Sequence, residues 1–257
     1  MSGATESSLA PGVPPDYYDQ IYAVERDHWW YRGMREIGRA LLGQRLEDPN
    51  QRLLDAGCGT GGFLRWALDV GQFRAASGVD VSSAAIELAR LRVPDATLDV
   101  APLWELPYAD DSFELAVMND VLQHLPEEHV GQSLRELHRV LATGGALLVR
   151  TNGSRRVRRE RDDWRAYDAQ TLRRELEDSG CRIERLTYAN TAPSLWASLR
   201  RRVPHAPTEE RHGIAEEAGE LQSAIGFRLL KAEARFLQAP ERRLPFGHTL
   251  FALAIAS

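Results

Sequence analysis

Residues 53 to 64 read Leu-Leu-Asp-Ala-Gly-Cys-Gly-Thr-Gly-Gly-Phe-Leu. A short apolar run that breaks into glycines and then resumes helical spacing reads as a strand, a tight turn and a helix start. Glycine lets the backbone take left-handed conformations and lets a ligand approach the main chain, here with a helix N-terminus close by. A turn without a ligand needs one glycine, and this one has Gly57, Gly59, Gly61 and Gly62. The same rhythm continues downstream. Apolar stretches predict strands at 52–56, 75–80, 96–100, 114–119, 145–151 and 181–189, and amphipathic spacing predicts helices at 62–70, 83–91, 130–142 and 169–179. Strands that alternate with helices imply an α/β fold, a Rossmann-like three-layer sandwich around a mostly parallel sheet. Ser82 or Ser83 can cap the helix after Asp80, and Gly144-Gly145 is expected to end the helix at 130–142 and open the next strand.

The flanks divide the chain further. Residues 1–15 carry Ser, Gly and Pro and are expected to be a flexible leader, without the basic and apolar regions of a secretion signal. Residues 16–46 read as an N-terminal helical cap: a helix, an aromatic break at Trp29-Trp30-Tyr31, and a second helix with Ile37, Leu41 and Leu42. Residues 47–190 form the expected core, and 244–257 the final strand. Between them, 191–243 break the rhythm with Pro193, Pro204 and Pro207. A long amphipathic helix is predicted at 214–237, with Ile214, Leu221, Ile225, Leu229 and Phe236 on its apolar face. This insertion suits a lid, an oligomer contact or an extra layer over the sheet edge.

At 257 residues the chain can bury a full core, and its 43% hydrophobic and 27% charged content is ordinary for a globular protein. No apolar run approaches the ~18 residues of a membrane span. Cys58 and Cys181 do not make a disulfide framework, no metal-ligand cluster is evident, and a cytoplasmic location is the default expectation. A net charge of -5 argues against a general nucleic-acid binder, and a homodimer is one assembly the 191–243 insertion could support.

Gly57, Gly59 and Gly62 also satisfy the dinucleotide-binding fingerprint, so the turn alone admits two ligand classes. Asp55 separates them. A dinucleotide would place its pyrophosphate beside this carboxylate, whereas S-adenosylmethionine has no phosphate and carries a cationic amino group. Asp80, at the end of the second strand, can accept hydrogen bonds from both hydroxyls of a ribose. The string Asp-Ala-Gly-Cys-Gly-Thr-Gly closely resembles motif I of class I S-adenosylmethionine-dependent methyltransferases. Pro102 to Leu115, with Leu106-Pro107-Tyr108 and Ser112-Phe113-Glu114, is similar to the segment joining strands three and four in that superfamily. The family's usual carboxylate for the adenine amino group falls at 102, which is proline here, leaving the contact to Leu103, Trp104 or a displaced Asp99.

The fourth strand ends in Asn119-Asp120-Val121-Leu122-Gln123-His124, at the sheet edge where ligands of α/β proteins bind. His124 is the candidate general base, its ordinary pKa of about 6.5 suiting proton removal from an oxygen or nitrogen nucleophile. Helix capping or packing is its alternative role. In the aromatic opening, Trp30 could cover a sulfonium and Arg32 hold a carboxylate. His28 to Arg35 resembles the "His-Trp/Phe-Trp-Phe-Arg-Gly-Arg-Arg" opening of a bacterial methyltransferase subgroup. Residues 164–190 and Leu244 to Leu250 also resemble segments of that subgroup, with one arginine fewer in the tract at 164–168. Arg150, Arg155, Arg156, Arg158, Arg159, Arg161 and Arg165 make the neighbouring stretch basic, either a solvated loop or a place to steer an anionic acceptor.

The resemblance implies a seven-stranded sheet with an antiparallel last strand. It further implies S-adenosyl-L-methionine as cofactor, S-adenosyl-L-homocysteine as product, and methylation of an oxygen or nitrogen on a small-molecule acceptor in specialised metabolism. Expected donor contacts are Tyr22, Trp30, Arg32, Asp55, Gly57, Gly59, Gly61, Asp80, Val81, Leu103, Trp104 and Asn119, with Trp29, Gln123 and Tyr167 towards the acceptor. Cyclase-like catalysis or binding on the same fold and cofactor is the alternative, followed by a NAD-dependent oxidoreductase.

Overall fold

The computed structural model describes residues 16–153, 165, 167–192 and 219–257. The calls on residues 1–15, on Arg155 to Trp164, on Ala166, on the three prolines and on Ile214 lie outside them. Strands β1 (Arg52–Ala56), β2 (Ala75–Asp80), β3 (Thr97–Val100), β4 (Phe113–Asn119), β5 (Leu141–Asn152), β6 (Cys181–Ala189) and β7 (Thr249–Ala256) form one sheet in the order β3-β2-β1-β4-β5-β7-β6. Neighbours from β3 to β5 are parallel, and β7 runs antiparallel between β5 and β6. This is the seven-stranded, mostly parallel Rossmann-like sheet that the sequence led us to expect.

Alternation along the strands sorts side chains into two apolar layers. Leu53, Leu115, Val117, Leu148, Phe251 and Leu253 face one side, where they meet α2 (Trp29–Leu42), α3 (Gly62–Val70), α4 (Ser83–Arg92) and α7 (Glu220–Leu237). Leu54, Ala116, Met118, Leu147, Val149 and Ala252 face the other, against α5 (Glu127–Val140) and α6 (Ala169–Asp178). Helix starts are set locally. Ser82 accepts from the Ala85 amide at 3.3 Å and Asp168 from the Thr171 amide at 2.8 Å, each supplying a partner for a first-turn N–H.

Two differences from the sequence reading change how the chain is understood, at the start of α2 and at the junction of α5 with β5. Helix α1 (Tyr17–Val24) stops before the aromatic run, and His28 caps α2 by accepting from the Trp30 amide at 3.3 Å. Trp29, Trp30 and Tyr31 are therefore the first turn of α2 rather than a break. Helix α5 ends at Val140, and β5 already runs through Gly144, whose φ is +81°. The glycine pair is an irregularity within the strand, where the β4–β5 register shifts, rather than a helix stop.

Helix α7 buries Gly226, Leu230, Ala234 and Leu237, while Leu221 is 76% exposed and Ile225 and Phe236 also face solvent. Counting large apolar residues picked the wrong stripe, because the contact with α2 is built on small ones. A Cβ on Gly33 would overlap Leu230, and one on Gly226 would come within 2.6 Å of the Trp29 ring. The C-terminal part of α7 is tied down by charged side chains. Glu233 accepts from the amides of Asn190, Thr191 and Ala192 at 2.8–2.9 Å, and buried Arg185 donates to the Leu237, Ala239 and Arg242 carbonyls at 2.7–3.0 Å. Gly33→Val is accordingly expected to force α2 and α7 apart at a cost of about 1–3 kcal/mol. That would lower Tm by roughly 3–10 °C in calorimetry, and an unchanged Tm would show that the two helices do not close on Gly33.

Candidate active site

A cavity of about 710 Å³ opens over the C-terminal ends of β1, β2, β4 and β5. Chain order reverses between β1 and β4, the switch point where α/β sheets bind ligands. Its floor is the glycine turn. The amides of Gly57 and Cys58 both donate to the Val79 carbonyl, at 2.7 and 2.9 Å, which folds the turn back over β2. Gly57 at φ +77° lies so close to Val121 that any Cβ would overlap that side chain.

Asp80 is engaged on both oxygens, accepting from the Gly59 amide and the Ser82 amide at 2.9 Å each. A carboxylate offers about four acceptor positions, so capacity remains for the hydroxyls of a vicinal diol. Burial raises its pKa, and the Ser82, Gly59 and Val81 amides oppose the rise. Asp55 is 1% exposed, and its Oδ2 has no hydrogen-bond partner among the described residues. Burial first, then the nearby acids Glu25 and Asp80, push its pKa up to about 8, with Arg150 opposing. On the neighbouring strand Asn119 presents a buried Nδ2 that likewise has no partner among the described residues. The cavity thus offers an unpaired acceptor and an unpaired donor beside a turn that carries no basic side chain. Such a site suits a ligand with an ammonium group and a ribose, and it disfavours a pyrophosphate.

Pro102, Leu103 and Trp104 form the wall beyond Asp80, and the Trp104 ring stacks on His129 at 4.0 Å. Asp99 instead accepts from the Tyr108 hydroxyl at 3.1 Å and is absent from the lining. The wall can therefore pack an adenine and offer it main-chain groups. The roof comes from α1 and α2 through Tyr17, Tyr18, Ile21, Tyr31 and Arg35. Burial, reinforced by Asp80, pushes the Tyr18 phenol up to about 12. Arg35 donates to the Glu25 carbonyl at 2.9 Å and the Arg26 carbonyl at 2.5 Å. Glu25 itself is buried, bonded to the Thr60 hydroxyl and the Arg92 guanidinium in the space left by Gly62.

Of the residues singled out from sequence, Asp55, Gly57, Gly59, Asp80, Val81, Leu103, Trp104, Asn119 and His124 line the cavity. Gly61 stands just behind it as the left-handed N-cap of α3. Trp30 reaches it only through Arg150, whose guanidinium lies 5.2 Å from the ring. Tyr22, Arg32, Trp29, Gln123 and Tyr167 fall elsewhere. Tyr22 stacks under Arg92 at 3.9 Å, and exposed Arg32 lies over the Phe227 ring at 4.3 Å. Trp29 packs on Gly226, Gln123 accepts from the Thr151 hydroxyl at 2.8 Å, and Tyr167 is 1% exposed in the core. The sequence reading missed Tyr31 and Arg35 because it took the aromatic run for a break. Read as helix, positions 31 and 35 share one face.

Comparison with known proteins agrees with this geometry. A family profile described as a methyltransferase domain matches residues 54–149. The chain is 28% identical over 153 residues to the malonyl-[acyl-carrier protein] O-methyltransferase of Serratia marcescens, covering 60% of this chain and 55% of that one. It is 31% identical over 153 residues to the ubiquinone/menaquinone biosynthesis C-methyltransferase UbiE of Geobacter sp. (strain M21), covering 55% and 59%. The chain thus spans little more than half the length of these curated relatives. The fold is similar to that of geranyl diphosphate C-methyltransferase from Streptomyces coelicolor A3(2), solved with S-adenosyl-L-homocysteine, with a TM-score of 0.61 at 15% identity over 100% of this chain and 91% of that one. Residues 54–149 thus match a methyltransferase domain, and that domain, the sheet order and the acid-lined glycine turn together support S-adenosylmethionine as the ligand of this cavity.

Proposed function

We propose that this protein methylates an oxygen or nitrogen atom of a small-molecule acceptor in specialised metabolism. The observation that carries the donor half of this reading is Asp55, a buried carboxylate with an oxygen unpartnered among the described residues at the glycine turn. When bound, S-adenosylmethionine supplies an electrophilic methyl carbon on a sulfonium. Asp55 then pairs with its ammonium group, Arg35 takes the role expected of Arg32 towards its carboxylate, and Asp80 accepts from the ribose hydroxyls. Leu103 and Trp104 pack the adenine. The α1 and α2 aromatics exclude water, and His124 and Asp120 on the acceptor side orient a heteroatom and receive its proton. Holding the nucleophile in line with the methyl carbon can provide much of the rate without a strong base.

Asp80→Ala tests the donor half. It removes the diol acceptor and the brace on the Gly59 amide together, so calorimetry with S-adenosylhomocysteine is expected to show binding weakened by about 30-fold or more. Unchanged affinity would remove Asp80 from the site. Methyl transfer itself is read as S-adenosylhomocysteine released in step with a methylated acceptor. An acceptor converted without that release would favour the cyclase-like alternative.

A further inference from the structure

Arg150 sits near the C-terminal end of β5 with its side chain 8% exposed, and it lines the cavity. A guanidinium cannot lose its charge, so a buried one calls for anionic partners. The ion pair recorded for it is one contact, Nη2 to Asp120 Oδ2 at 2.6 Å, and Asp120 is itself 29% exposed. Nε is buried and has no hydrogen-bond partner among the described residues. The Trp30 ring lies 5.2 Å from the guanidinium and restricts its orientation. Asp120 is held in place by its own amide, which donates to the Arg150 carbonyl at 2.8 Å from a left-handed backbone with φ +57°. The result is a guanidinium held by Asp120 whose Nε–H is unpaired among the described residues, and Nε–H with an Nη2–H is the pair that a carboxylate takes side-on.

The anion could come from donor or acceptor, and the topology favours the acceptor. Asp55 and Asp80 put the donor over β1 and β2, while Arg150 tops β5, with β4 between. At ~4.8 Å per strand, β5 lies roughly 10 Å from β1. Arg35, whose hydrogen bonds go to main-chain carbonyls, stands on the donor side beside Glu25. Close to Arg150 are the Tyr31 phenol, which burial keeps protonated as a hydrogen-bond donor, and Asp120. We infer that Arg150 reads a carboxylate on the acceptor, so that the substrate of this enzyme is a carboxylic acid gripped side-on by Arg150 and hydrogen-bonded by Tyr31. The inference rests on the methyltransferase reading and goes beyond it by naming the substrate class.

Matched acid and amide probes test it. Protein saturated with S-adenosylhomocysteine is titrated with 4-hydroxybenzoate against 4-hydroxybenzamide, and with 3-hydroxybutyrate against its amide, by calorimetry. At least one acid is expected to bind about tenfold or more tighter than its amide. The ratio should fall to near one in Arg150→Gln and be partly kept in Arg150→Lys, which retains the charge without the fork. S-adenosylhomocysteine affinity in Arg150→Gln is expected to stay within about threefold of the parent, which also shows that the variant is folded. Equal binding of acids and amides by the parent protein would overturn the inference. So would a tenfold or larger loss of S-adenosylhomocysteine affinity in Arg150→Gln, since the anion would then be the donor's own carboxylate. Absence of S-adenosylhomocysteine binding in the parent protein would overturn the methyltransferase reading and this inference with it.

Discussion

Replacing Asp55 by asparagine is expected to raise the melting temperature of the ligand-free protein at pH 8 and, in the same molecule, to weaken S-adenosylhomocysteine binding by about 100-fold. Both effects come from one pKa. In the unfolded chain an aspartate titrates near ~3.9, whereas burial and the neighbouring Glu25 and Asp80 raise Asp55 to about 8 in the fold. Between those values the folded state holds a proton that the unfolded state has lost. Stability therefore falls as pH rises through that window, and the penalty is complete above the folded pKa. Asparagine has the same shape and no ionisation, so the variant's advantage should be absent below about pH 4 and grow towards pH 9. At on the order of 1.4 kcal/mol per unit, it amounts to about 5 kcal/mol, or on the order of 10–20 °C in Tm.

Binding has the opposite sign. An ammonium group needs the carboxylate ionised, so affinity should rise from pH 6 to pH 8 and association near pH 7 should release close to one proton. Calorimetry in buffers of different ionisation enthalpy measures that proton directly. No extra stability in Asp55→Asn at pH 8, or a pH-independent affinity between 6 and 8, would show that Asp55 is not the group that meets the ligand's cation. The arrangement is a site that destabilises its own fold until the ligand neutralises it.

What was legible in the sequence follows from period and position. A strand residue has only two faces, so Asp55 and Asp80 could be placed at strand ends from the apolar runs behind them, and both line the cavity. Helix faces were harder. Trp30 and Arg32 drew attention by chemistry, but capping by His28 starts α2 at Trp29 and turns Tyr31 and Arg35 towards the cavity instead. In α7 the buried stripe includes Gly226 and Ala234, and a search for large apolar residues passes over both. Arg150 was counted with a basic stretch, since nothing in a one-dimensional run tells a buried guanidinium from a solvated one. Burial and a missing partner are properties of the packed chain.

Gly57→Ala is expected to be among the most damaging single-methyl changes in the chain, for two separable reasons. Gly57 holds φ at +77°, where an L-residue costs about 1–2 kcal/mol. Its added Cβ would overlap Val121 Cγ2 and approach Cγ1 at 3.1 Å, and relieving such overpacking costs a further 1–3 kcal/mol or so. Together these give roughly 2–5 kcal/mol, or on the order of 5–15 °C in Tm. Gly59 provides the control. It also has positive φ, at +51°, but a Cβ there meets nothing within 4 Å, so Gly59→Ala should cost the backbone part alone. Val121→Ala placed on Gly57→Ala should recover the packing part and leave the backbone part. The functional loss should exceed the loss of stability, because Val121 lies between Asp120 and the turn that carries His124. Moving Val121 shifts the acceptor side while the new methyl group crowds the donor side. Equal costs for Gly57→Ala and Gly59→Ala, or no rescue by Val121→Ala, would show that the turn tolerates a side chain at 57, and the close packing of Gly57 on Val121 would then not be what ties the two halves of the cavity together.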